Sequence, residues 1–103
     1  MDLSMVGSSR LVTGGVDTHL EVNVAAVLNR IGGLLGTESF PTTMEGNRQL
    51  LKWMAGHGRV ARVGVEGTSS YGAPLARFLA EAGVEVLEVS RPNPSGAAAS
   101  GQE

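Results

Sequence analysis

The chain has no cysteine, which excludes disulfides, thiolate metal sites and thiol nucleophiles. No apolar stretch approaches the roughly 18 residues of a membrane-spanning helix. The opening residues, Met1-Asp2-Leu3-Ser4-Met5-Val6, lack the basic start and apolar core of a secretory signal. These absences together read as a cytoplasmic protein with no membrane attachment. Positive charge is also sparse: the net charge is −2, and the eight basic residues are scattered along the chain. Phosphate affinity depends on clustered Lys and Arg, so this balance weighs against strong nucleic-acid binding by the chain as it stands. The run Gly64-Val65-Glu66-Gly67 is not followed by the Gly-Lys-Ser/Thr of a phosphate-binding P-loop, which excludes nucleotide triphosphate hydrolysis by that route.

What is present fits one globular domain. A length of 103 residues can bury a core with little margin. Hydrophobic residues at 42% and charged residues at 17% are ordinary for such a domain, while 15 glycines point to many turns. Valine-rich runs bounded by glycine predict strands over 11–16, 21–28, 34–40, 60–65 and 84–89. Asn29-Arg30-Ile31-Gly32-Gly33 carries hairpin chemistry, and Pro41 stops the third strand. Thr42 and Glu45 form a candidate capping box for a helix carrying Leu50, Leu51 and Met54. A second helix is predicted over about 70–82, with Tyr71, Leu75, Phe78, Leu79 and Ala82 on one face, Pro74 in its first turn and Gly83 after it. Residues 1–10 read as a flexible leader and 93–103, rich in Pro, Gly, Ala and Ser, as a disordered tail. The order is β-β-β-α-β-α-β: a mixed five-stranded α/β sheet with helices packed on it.

Two acidic residues stand out, each closing an apolar run: Asp17 after Leu11–Val16 and Glu66 after Val60–Val65. Ligands of α/β proteins gather at strand ends. If the fourth strand pairs parallel to the first, both carboxylates emerge at the same edge, the arrangement of the ribonuclease H-like fold. Hard divalent cations prefer oxygen ligands, so the pair suits Mg²⁺ or Mn²⁺. Two-metal phosphodiester cleavage needs a larger carboxylate cluster, and the pair is a partial signature of one. The plainer alternatives are a strand-end turn residue for Asp17 and a solvated strand end for Glu66. His19, two residues beyond Asp17, could assist a metal or be incidental. His57 at a helix end suits the helix dipole. Thr68, Ser69 and Ser70 read as caps for the following helix.

Five segments occur in order: Gly15-Val16-Asp17-Thr18-His19, Val24-Ala25-Ala26-Val27-Leu28, Ser39-Phe40-Pro41-Thr42-Thr43, Val65-Glu66-Gly67-Thr68-Ser69-Ser70-Tyr71-Gly72 and Val84-Glu85-Val86-Leu87-Glu88-Val89-Ser90-Arg91-Pro92. Together they resemble the N-terminal domain of the DEDD transposases of the insertion-sequence family numbered one hundred and ten, over about residues 11–92. The resemblance implies a RuvC-like, ribonuclease H-like nuclease domain whose Asp-Glu-Asp-Asp tetrad binds divalent metal to cleave DNA. It also implies a catalytic serine on a separate domain, and a structured guide RNA as partner besides DNA. Asp17 matches the first tetrad residue and Glu66 the second.

The third and fourth tetrad residues have no counterpart. After Arg91-Pro92-Asn93 the sequence holds no aspartate and no basic residue. Smaller departures lie near Asp17, with Leu20 where members often carry lysine and Asn23 where many carry histidine. The resulting expectation is an N-terminal transposase fragment, truncated or frameshifted and inactive alone, with weak or absent metal binding at catalytic positions Asp17 and Glu66. Alternatives are a non-catalytic fragment that modulates a full-length transposase, or a RuvC-like resolvase or nuclease. An exposed apolar sheet face would favour a homo-oligomer.

Overall fold

The computed structural model describes residues 10–90. The leader and tail expectations therefore lie outside the described residues, Arg10 excepted. Five strands and two helices follow in the expected order: β1 (Leu11–Thr18), β2 (Val22–Leu28), β3 (Leu34–Pro41), α1 (Met44–Ala55), β4 (Arg59–Glu66), α2 (Ala73–Glu81) and β5 (Glu85–Val89). They form one sheet in the order β3-β2-β1-β4-β5. β1, β2 and β3 make an antiparallel meander, while β4 joins β1 and β5 joins β4 in parallel. The parallel joins need crossovers, which α1 and α2 supply. This mixed sheet is the ribonuclease H-like architecture expected from the sequence.

Strand alternation explains the core. Val12 and Val16 of β1, Ala25 and Val27 of β2, and Val63 and Val65 of β4 turn to one face. There they meet Leu50 and Met54 of α1 and Leu75 and Leu79 of α2 in a single buried cluster. Phe40 closes the cluster from β3 and stacks at a tilt on Trp53, with centroids 5.7 Å apart. Both helices cover that face. The other face keeps Val24, Leu87 and Val89 exposed.

Local chemistry departs from the expectations at three places. The N-cap of α1 is Thr43, whose Oγ1 accepts from the Gly46 N–H at 2.9 Å, and not Thr42. With Gly46 at the third helical position there is no side chain to complete a capping box; Glu45 instead pairs with Arg48 at 3.0 Å. Thr42 Oγ1 donates to the His19 carbonyl at 3.0 Å, tying the β1–β2 turn to the start of α1. Second, α2 starts at Ala73, because residues 67–72 fold on themselves through Ser70 N–H and Gly72 N–H to the Gly67 carbonyl. Its N-cap is Gly72 without a side-chain bond, so Thr68, Ser69 and Ser70 do not cap it, and Tyr71 is exposed. Third, Pro41 lies within β3 as its last residue; β3 is an edge strand, where a missing N–H leaves no ladder bond unmade. The β2–β3 turn behaves as read: Asn29 Oδ1 accepts from the Ile31 and Gly33 N–H groups, and Gly32 takes φ +89°.

Candidate metal centre at the ends of β1 and β4

The register of the two central strands decides where the acidic residues fall. Val16 pairs with Val65 across the parallel β1–β4 ladder. Asp17 and Glu66 are the next residue on each strand, so they leave the sheet side by side. Because Val16 and Val65 point into the core, alternation sends both carboxylates to the uncovered face. There they line one open depression of about 420 Å³, with Gly15, Val24, Gly64 and Val89 among its walls. The two glycines keep its floor free of side chains.

Asp17 is not a strand-end turn residue. It lies inside β1, paired with Val24 of β2, and the strand continues through Thr18. Pairing with β2 on its other side carries β1 two residues past the point where the apolar run ends. Glu66 is the last residue of β4. Thr18 fixes the two ends together: it is 1% exposed, and its Oγ1 donates to the Glu66 carbonyl at 2.8 Å. His19 joins the group. Its Nε2 lies 3.0 Å from Asp17 Oδ2, with both side chains about half exposed at 47%. The His19 backbone is held by its own N–H to the Val22 carbonyl and by the Thr42 hydroxyl. His57 lies elsewhere, its Nδ1 3.1 Å from the Trp53 carbonyl near the end of α1.

Among the described residues, no three or more His, Asp or Glu side chains gather as a metal-holding group. The candidate donors are the two carboxylates Asp17 and Glu66. That fits Mg²⁺, which keeps several waters and takes one or two carboxylates together with substrate phosphates. It is short of the cluster that two ions would need.

A feature missed in the sequence lies between the N-termini of α1 and α2. Asn23, Thr43, Asn47, Tyr71 and Leu75 are among the walls of a depression of about 210 Å³. The Oδ1 atoms of Asn23 and Asn47 are buried without a hydrogen-bond partner among the described residues. Asn23 interrupts the apolar run of β2 and stands out in the sequence only as a departure from the family pattern, while Asn47, among the polar residues Glu45-Gly46-Asn47-Arg48-Gln49, carries no sequence signal.

A mixed β3-β2-β1-β4-β5 sheet with its helices packed on one face defines a ribonuclease H-like domain, with two acidic residues toward the ends of its central parallel strands. The chain belongs to the DEDD transposases of the insertion-sequence family numbered one hundred and ten, whose transposase profile matches residues 14–101. The match runs past Pro92, where the five sequence segments end, and so extends further along the sequence than they do. No curated protein matches the chain. The family acts on DNA and implies dependence on a divalent metal. No helix of the described residues is long and apolar enough to cross a membrane.

Proposed function

We propose that the chain is the N-terminal part of a transposase nuclease domain, and that Asp17 and Glu66 are two of its metal ligands and its catalytic carboxylates. The observation that carries this is the β1–β4 register, which sets the two acidic residues next to each other on one face. Bound Mg²⁺ or Mn²⁺ supplies activation of the attacking oxygen and stabilisation of the leaving one. The chain's own part is to hold the ligands. Thr18 locks the ends of β1 and β4 together, and His19 orients the Asp17 carboxylate from the outside.

Two carboxylates bind a divalent ion weakly, so this chain alone does not cleave DNA. Its partners are DNA and a structured guide RNA, met in the cytoplasm. Residues 11–92 make up the nuclease portion of the chain. A second reading, a non-catalytic fragment that docks on a second copy or on a full-length transposase, is favoured by the exposed Val24, Leu87 and Val89 on the uncovered sheet face.

Calorimetric titration with MnCl₂ tests the first reading. Wild-type protein gives a saturable heat that Asp17→Ala abolishes and Mg²⁺ reproduces more weakly. Identical titrations of the two proteins would remove Asp17 from the metal site.

A further inference from the structure

The end of the sheet opposite the carboxylates gathers positive charge that the linear sequence disperses. Arg10 immediately precedes β1 and Arg59 opens β4; the Arg59 N–H donates to the Arg10 carbonyl at 2.7 Å. Arg30 sits in the β2–β3 turn, which the antiparallel meander returns to this same end. Arg62 pairs in register with Thr13 of β1, and Thr13 in turn with Leu28, the residue before Asn29. Four of the chain's eight basic residues thus lie toward this end of the sheet, Arg59 about 23 Å and Arg62 about 13 Å of strand from Glu66.

Two open depressions are lined by three of them, Arg10, Arg30 and Arg62; Arg59 lines neither. One, of about 350 Å³, is lined by Arg10, Asn29, Arg30 and Ile31. The other, of about 360 Å³, is lined by Asn29, Arg30 and Arg62. The two share Asn29 and Arg30 as walls, so they flank the same turn. All four arginines are exposed. Glu85 lies 3.5 Å from Arg62, and among the described residues it is the one acidic partner these arginines have. Ile31, 92% exposed, projects from the tip of a turn pinned by Asn29.

We infer that this surface is a contact site for the phosphodiester backbone of a nucleic-acid strand. Spaced guanidinium groups match a line of phosphates rather than one small anion. An exposed aliphatic side chain beside them is of the kind that packs against base edges or steps. The site goes beyond the metal reading and does not need it. It also revises the inference from scattered charge: the basic residues are scattered in sequence and clustered in the fold.

The test is fluorescence anisotropy of the full chain with short labelled single-stranded DNA, duplex DNA and RNA of matched sequence, in EDTA. Without divalent ions, a failed metal site leaves this readout untouched. Arg10→Gln/Arg30→Gln is expected to weaken binding at least about tenfold at low salt. It should also flatten the slope of log K against log salt by about 1.5–2, the loss of two phosphate contacts. Arg48→Gln/Arg77→Gln, which removes two exposed arginines on the helices, should stay within about twofold of wild type. Tighter binding of RNA than of either DNA assigns the surface to RNA; the reverse assigns it to DNA. Circular dichroism verifies that both variants fold. Absence of binding to all three probes, or equal losses in the two double variants, overturns the inference.

Discussion

At the residue scale, the carboxylate pair owes its placement to Thr18. The placement of Asp17 and Glu66 toward strand ends is legible in sequence because each follows a valine-rich run. Their proximity is not, since it depends on which strand β4 joins and in what register. The strand ends meet through one buried hydroxyl, Thr18 Oγ1 on the Glu66 carbonyl. Thr18→Val keeps the β-branched shape and removes that donor. The net worth of such a bond is about 1 kcal/mol, which lowers the melting temperature of a domain this size by about 4–8 °C. Thermal unfolding followed by fluorescence of Trp53, the single tryptophan, measures it. An unchanged midpoint would mean that the β1–β4 ladder alone holds the site. Asp17 shows why strand ends are hard to read: apolar pattern ends at Val16, yet backbone pairing with Val24 continues the strand through a charged residue.

At the element scale, periodicity located every strand and helix but misplaced the starts of both helices. Residues 41–43 offer two threonines in succession, and composition cannot choose between them. Geometry does, because Thr43 reaches the Gly46 N–H while Thr42 turns to His19. Thr43→Ala should therefore cost about 1 kcal/mol of stability, whereas Thr42→Ala removes only an exposed bond and should cost less than half as much. Urea unfolding of the two variants separates them; equal costs would contradict the cap assignment. The start of α2 was misread for a related reason. Ser69-Ser70-Tyr71 could continue a helix by propensity, but the Gly67 carbonyl takes the N–H groups of Ser70 and Gly72 and closes a separate loop first. The two edge strands carry their own protection against pairing with other chains. β3 ends in Pro41 and bears Glu38, and β5 is five residues long with Glu85 and Glu88.

At the scale of the whole molecule, both helices lie on one side of the sheet, and this asymmetry could be anticipated only in part. The sequence suggested an exposed apolar face without saying which strands form it. It is formed by β2 and β5 flanking the carboxylate depression, where Val24 is 39% exposed and Leu87 and Val89 are each 42% exposed. With the edges guarded by proline and glutamate, association through strand addition is disfavoured, and contact face to face is the remaining route for burying these side chains. Apolar burial stabilises by roughly 25 cal/mol per Å², which a modest patch converts into weak, reversible association. Sedimentation equilibrium of the full chain should accordingly show an average mass rising above 10.6 kDa with concentration. Leu87→Lys places a charge on that face at an exposed position, so it should leave the fold intact and return the mass to that of the monomer at every concentration. The same face borders Asp17 and Glu66, so a self-associated chain would bury its own carboxylates, and Leu87→Lys should then also strengthen the Mn²⁺ titration at high protein concentration. A wild-type protein that sediments as a monomer throughout would show that the uncovered face tolerates water, and would leave the arginine-lined end as the surface through which this chain meets partners.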